Sequence, residues 1–188
     1  MEVYLIRHTT PAIEKGICYG QVEVDLNEDL FARELENIRT KIPLSFDAVF
    51  SSSLNRCTRL AKELSEDYIA DKRLQELSFG LWENKRWNNL PTEELNLWMD
   101  DYVNVCVPGG ESYVQLSERI NSFLNEVLAK DYKTISIITH AGCMRSFLAG
   151  LLGLPLENTF RIQLNYGSVI RAEFDKDDRL NKLFSLHA

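Results

Sequence analysis

Arg7-His8 and His140-Ala141-Gly142 each close an apolar β-type run, Val3-Tyr4-Leu5-Ile6 in the first case and Ile135-Ser136-Ile137-Ile138-Thr139 in the second. In open α/β sheets the ligand crevice lies outside the carboxyl ends of the strands, so this arrangement puts both imidazoles where chemistry is done. A histidine after a strand can also serve only as a hydrogen-bonding cap. Two in matching positions, one beside an arginine, favour a site. Imidazole is the side chain whose charge changes near neutral pH. Two further segments supply candidates: Arg56 in Ser51-Ser52-Ser53-Leu54-Asn55-Arg56-Cys57, and the carboxylate of Glu76 in the stretch Arg73 to Glu83.

The elements that must position these residues alternate between strand and helix patterns, the signature of βαβ units and a largely parallel sheet. A first strand ends at His8, Leu26 to Thr40 reads as a helix, and Ala48-Val49-Phe50 is a short buried strand. Ser51 to Ser53 offer N-caps for a helix from Leu54 to Glu66. Tyr68-Ile69-Ala70 reads as another short strand, and Arg73 to Asn89, lacking a clear period, as an irregular excursion over the sheet. Pro91 to Tyr102 reads as helical, and Pro108-Gly109-Gly110 breaks the chain before Ser112 opens a helix toward Lys130. A βα unit comes next, Thr134 to Thr139 and Cys143 to Leu152. Phe160 to Leu164 and Val169 to Phe174 read as a hairpin around Asn165-Tyr166-Gly167-Ser168, and Leu180 to Leu186 as a last strand. The expected fold is a three-layer α/β/α sandwich in one domain, residues 1–188.

Net charge is -7 over 188 residues, which disfavours sequence-independent binding to nucleic acid or to an anionic membrane surface. The chain opens directly on a strand, without the basic and apolar regions of a signal peptide, and no apolar run approaches a membrane span, so a cytoplasmic protein is expected. Cys18, Cys57, Cys106 and Cys143 lack C-x-x-C spacing and are expected as reduced thiols, without an assigned role. A zinc site built on the two histidines would need further ligands at recognisable spacing, and no H-x-x-x-H or Cys/His cluster supplies them; neither metal nor cofactor is expected. There is no G-x-x-x-x-G-K-[ST] loop for a nucleotide.

Taken in order, the segments resemble the histidine phosphatase superfamily, the phosphoglycerate mutase-like proteins. The family's R-H-G appears as Arg7-His8-Thr9, its S-S-x-L-x-R-C as residues 51–57, its L-x-E with a following G-x-W as Leu74 to Trp82, its P-G-G-E-S as Pro108 to Ser112, and its H-[GA]-G as His140 to Gly142. The resemblance implies a phosphoglycerate mutase-like fold and a small phosphomonoester as partner. It implies that His8 is the nucleophile that forms a phosphohistidine, that Arg7 and Arg56 clamp the phosphoryl oxygens, and that His140 contacts the same group. Glu76 would be the general acid, with Glu83 a nearby competitor. Substrate contacts are implied for Thr9, Tyr19, Gly20, Gln21 and Ala141. Read without the family, Arg56 could be a helix-surface arginine like Arg59, which has Glu63 at i,i+4.

Some positions depart from the family pattern. Thr9 stands for the usual Gly, Ser53 for Pro, Leu60 for a frequent Thr, Asn84 for a frequent Gly, and Glu14 for an Asn near the phosphate. A carboxylate there would repel a dianion, so Glu14 is expected to face away. Ile17-Cys18-Tyr19-Gly20-Gln21, followed by Asp25-Leu26, resembles the loop of the α-ribazole phosphatase branch, which implies α-ribazole 5′-phosphate and cobalamin biosynthesis. The alternatives are a mutase, which would need extra cover over its site that a tail ending at His187-Ala188 does not provide, and a non-catalytic phospho-ligand-binding module, which would have lost its nucleophile or acid.

Overall fold

The computed structural model describes residues 1–174 and 182–186. Strands β1 (Glu2–Arg7), β2 (Ala48–Ser52), β3 (Ile69–Asp71), β4 (Thr134–Thr139), β5 (Val169–Glu173) and β6 (Lys182–Leu186) form one sheet in the order β3-β2-β4-β1-β5-β6. The pairs β1/β4, β2/β4 and β2/β3 are parallel, whereas β5 runs antiparallel to both β1 and β6. Helices α1 (Glu28–Arg39), α2 (Asn55–Leu64), α3 (Thr92–Asp100), α4 (Tyr113–Leu128) and α5 (Ala141–Leu152) complete the fold.

Side chains alternate across a strand, and the sheet uses both faces. Val3, Leu5, Ile135 and Ile137 join one core with Leu116, Ile120 and Phe123 of α4 and Phe147 of α5. Tyr4, Ile6, Val49 and Ile138 join the other with Phe31, Leu35 and Ile38 of α1 and Leu60 of α2. This is the expected α/β/α layering, and it explains why β1 and β4 read as continuous apolar runs: both of their faces are covered.

The differences from expectation are local. Ser51 and Ser52 belong to β2, and α2 is preceded by Leu54, which makes no side-chain cap; Ser52 Oγ accepts from Leu54 N–H at 3.4 Å, and the first helical N–H, that of Asn55, goes to the Glu23 carboxylate at 2.8 Å. Helix α5 begins at Ala141, directly after His140. The expected hairpin strand Phe160 to Leu164 does not form: Leu156–Arg161 is a run of 3₁₀ turns, and the carbonyls of Ile162 and Leu164 accept bonds from arginine side chains, not from a strand. The alternating Phe160, Ile162 and Leu164 look strand-like because Ile162 and Leu164 pack on the core. Strand β5 instead pairs with β6, whose predicted start at Leu180 lies outside the described residues.

The excursion after β3 is three single 3₁₀ turns, Lys72–Leu74, Gly80–Trp82 and Trp87–Asn89. It is pinned to the segment before α4 by backbone contact: Leu81 N–H donates to Pro108 O at 2.9 Å, Glu111 N–H to Ser78 O at 3.1 Å, and Ser78 N–H to the Glu111 carboxylate at 2.9 Å. A Cβ at Gly110 would strike Ser78 O and Gly80 N, both backbone. Gly110→Ala should therefore lower stability by about 1–3 kcal/mol, as overpacking of a tight contact does. Urea denaturation would show this as a reduced midpoint; an unchanged midpoint would mean that the two segments can separate freely.

Candidate active site

Parallel pairing of β1 with β4 sets Arg7 opposite Thr139, so His8 and His140 leave the sheet side by side. His8 N–H donates to Thr139 O at 3.0 Å, and the ring centroids of the two histidines lie 5.0 Å apart. The next strand over, β2, ends at Ser52, and α2 then delivers Arg56 to the same point. Because β5 starts beside the end of β1, the chain before it crosses this end of the sheet and brings Tyr166 to within 5.4 Å of the His8 ring. Four chain segments thus meet at the carboxyl end of the parallel strands.

His8 is buried, and its Nδ1 lies 2.7 Å from Thr9 O. A carbonyl only accepts, so Nδ1 carries the proton and Nε2 keeps its lone pair. Arg56 is fully buried, with Nη1 donating to Val22 O at 2.9 Å, Nη2 to Gly20 O at 2.5 Å and Nε to His140 Nδ1 at 3.3 Å. That last bond makes His140 Nδ1 an acceptor, so its Nε2–H is directed to Ser52 Oγ at 2.8 Å. Arg7 donates to Leu164 O at 2.5 Å and lies over the Tyr166 ring at 3.8 Å. Among the described residues neither Arg7 nor Arg56 has a carboxylate within 4 Å. Arg7 Nε and Thr9 Oγ1 are buried without a protein partner.

Both histidines are held well below the ordinary imidazole range, first by burial and then by the positive charge of Arg56, with Arg7 adding to it. The hollow therefore combines a neutral imidazole lone pair with two guanidiniums that lack counter-charges. Such an arrangement can attract a dianion and can attack it. Burial also pushes the Cys57 thiol, 3.4 Å from His140 Nε2, far above its usual range, and the Cys143 thiol up to about 12, so both sit beside the site as neutral groups.

Glu76 reaches the site without a regular element. Every carbonyl from Arg73 to Glu76 is held by a side chain: Arg73 O and Gln75 O accept from Arg119 at 2.6 Å each, Leu74 O from Thr139 at 2.7 Å, and Glu76 O from Arg119 at 3.0 Å and Gln21 at 2.9 Å. Arg119 is itself fixed by Glu111 at 2.5 Å. The Glu76 carboxylate accepts from Leu77 N–H at 3.0 Å and Gly142 N–H at 3.3 Å, two residues beyond His140. Glu83 is otherwise engaged: its carboxylate accepts from Gln21 N–H and Phe79 N–H, tying the Tyr19 to Gln21 loop to the excursion.

Tyr19 joins the site through its hydroxyl, 3.0 Å from that of Tyr166, and its ring lies 5.1 Å from the Arg56 guanidinium. Gly20 adopts a left-handed φ of 38° and contributes its carbonyl to Arg56, and Ala141 is buried at the head of α5. Glu14 is exposed and paired with Arg86, away from the histidines. Asn84 holds a φ of 64°, the left-handed conformation that Asn tolerates best after Gly and that explains why Gly is frequent there. Sequence reasoning did not single out Arg119, Ser52 or Tyr166. Only Ser52 left a trace, as one of three hydroxyls expected to cap the next helix, whereas it closes β2.

Depressed imidazoles link folding to pH. The unfolded chain protonates His8 and His140 below about pH 6.5 and the folded chain does not. Their contribution is thus full above that pH and is lost as the pH falls, by up to about 1.4 kcal/mol per unit for each histidine. Urea midpoints at pH 7, 6 and 5 should decline, and the decline should flatten in a His8→Asn/His140→Asn double variant; equal slopes in both proteins would contradict neutral burial.

Comparison with known proteins places the chain in a family and a fold. A phosphoserine phosphatase 2 of Hydrogenobacter thermophilus, provisionally so named, is 30% identical over 96% of this chain and 95% of its own length. The adenosylcobalamin/alpha-ribazole phosphatase of Escherichia coli is 27% identical over 89% of this chain and 87% of its own. The crystal structure of the alpha-ribazole phosphatase from Shigella flexneri superposes with a TM-score of 0.89 at 24% identity, across 100% of this chain and 96% of that one. The family profile of the histidine phosphatase superfamily (branch 1) matches residues 3–186, and this chain belongs to that family.

Proposed function

We propose that the chain, acting as one domain, is a metal-independent phosphomonoesterase that passes the phosphoryl group through His8. One observation carries this reading: a buried, neutral His8 whose Nδ1–H is taken by Thr9 O, beside two guanidiniums with no carboxylate partner. His8 Nε2 attacks phosphorus, the phosphorus–ester oxygen bond breaks, and the leaving oxygen takes a proton from Glu76. Water then gives a proton back to Glu76 and its oxygen attacks phosphorus; the phosphorus–nitrogen bond breaks and His8 recovers its lone pair. Arg7 and Arg56 balance the charge on the non-bridging oxygens: each Arg56 terminal nitrogen and Arg7 Nη1 keep a second N–H beyond the one given to a backbone carbonyl, and Arg7 Nη2 donates to none among the described residues. His140 holds Arg56 through its Nδ1 and faces the same group.

For the substrate, the Ile17 to Gln21 loop and the E. coli relative support α-ribazole 5′-phosphate, a role in cobalamin biosynthesis in the cytoplasm. The H. thermophilus relative supports a second reading, phosphoserine. Hydrolysis is preferred to mutase transfer because these two relatives and the Shigella flexneri structure are named as phosphatases; relatives provisionally named phosphoglycerate mutase GpmB, from Shigella boydii and Escherichia fergusonii at 29% and 28% identity, support transfer to a second hydroxyl as the alternative.

Rapid acid-free quenching with a ³²P-labelled substrate, in the presence of EDTA, should trap one acid-labile, alkali-stable phosphoryl group per chain. It should be missing from His8→Ala, and label persisting in that variant would defeat the reading. The acid role has its own signature. Glu76→Gln should slow an alkyl phosphate by about 10²–10⁴ and an activated aryl phosphate much less, because a good leaving group needs little protonation. Equal losses on the two substrates would remove Glu76 from that role.

A further inference from the structure

Arginines that are partly or fully buried in this protein are normally compensated. Arg59 pairs with Glu63, Arg73 with Asp71, Arg86 with Glu14, Arg119 with Glu111 and Arg171 with Glu173. Among the described residues the exceptions are Arg7 and Arg56, already accounted for by the phosphoryl hollow, and Arg145, which has no carboxylate within 4 Å. Arg145 is half-buried, and burial lowers its affinity for its proton; the charge of Glu76 offsets part of that cost without pairing with it directly. A half-buried cation with no carboxylate in contact is free to take an anion from outside the chain.

The position of Arg145 says which anion. On α5 it lies three residues beyond Gly142, whose N–H binds the Glu76 carboxylate, and so shares that face of the helix. The charges of Glu76 and Arg7 both act on it, placing it on the same side of the fold. Its guanidinium is aimed by two contacts. Nε donates to Ile162 O at 3.1 Å, and the Phe160 ring lies 5.0 Å from its carbon. Two residues along the same segment, Leu164 O receives Arg7, and two further on Tyr166 stacks on Arg7. One stretch of chain therefore sets Arg7 and Arg145 side by side, on the order of 7 Å apart at its carbonyls if the segment is extended. Both terminal amino groups of Arg145 are left without a protein acceptor among the described residues.

We propose that Arg145 is a specificity-determining residue that binds a second anionic group of the substrate, so that the preferred substrates are phosphomonoesters of small acids. A planar fork fits a carboxylate or a second phosphate equally well. The inference rests on the phosphatase reading and decides between its substrates. It favours a phosphorylated hydroxy acid over α-ribazole 5′-phosphate, which has no second anion.

The test compares kcat/KM within matched pairs: O-phosphoserine against O-phosphoethanolamine, which differ by a carboxylate, and fructose 1,6-bisphosphate against fructose 6-phosphate, which differ by a phosphate. The wild-type protein should prefer the more anionic member of one pair by about 10–100-fold, the range of a charge-assisted bond. Arg145→Gln should bring that ratio close to one, acting mainly through KM of the anionic member, and Arg145→Lys should restore part of it. Turnover of the less anionic member reports that each variant is folded. Preference in neither pair, a ratio unmoved by Arg145→Gln, or a higher kcat/KM on α-ribazole 5′-phosphate than on any acid would overturn the inference. Failure to hydrolyse p-nitrophenyl phosphate would instead overturn the phosphatase reading beneath it.

Discussion

Two guanidinium groups sit in a largely buried hollow with no carboxylate against either, and the rest of the structure is arranged around that unbalanced charge. Arg56 tolerates its burial because backbone carbonyls of Gly20 and Val22 and the ring of His140 take its N–H groups. None of these partners neutralises it. Partial negative charge from carbonyl dipoles makes burial bearable and leaves the net positive field for a ligand. The same field explains why both imidazoles are neutral: a third or fourth positive charge in the hollow would be repelled by the first two.

The cysteines have a physical place in this field. Cys57 and Cys143 are buried and un-ionised against His140 and the Glu76 loop. As thiols they fill space as small hydrophobes and donate weakly to Thr139 O and Gln75 O. A thiolate would cancel part of the positive charge in the hollow, and burial keeps the proton on.

Most of the framework is legible in the sequence alone. Strand β4 reads at its observed limits and β1 within a residue or two, because parallel strands covered on both faces leave uninterrupted apolar runs. The two histidines are legible for the same reason, as the residues that follow the ends of those runs. Hidden from the sequence are groups whose position depends on distant partners. The Glu76 loop has no period to read, since its carbonyls are claimed by Arg119, Thr139, Cys143 and Gln21, up to 69 residues away in the chain. Residues 160–164 mislead in the opposite direction: their alternation is real, but it serves the core, while their carbonyls serve arginines.

Arg119 shapes a loop to which it does not belong. Its fork, steadied by Glu111, gathers three of the four carbonyls that precede Leu77, so the bend that presents the Glu76 carboxylate is written on α4 and not on the loop. The conformation is not portable. Transplanting residues 73–83 onto another scaffold would carry the Glu76 carboxylate but lose its aim unless the arginine and its glutamate travelled with it, and drift at those two positions would turn that carboxylate away while leaving the two histidines in place.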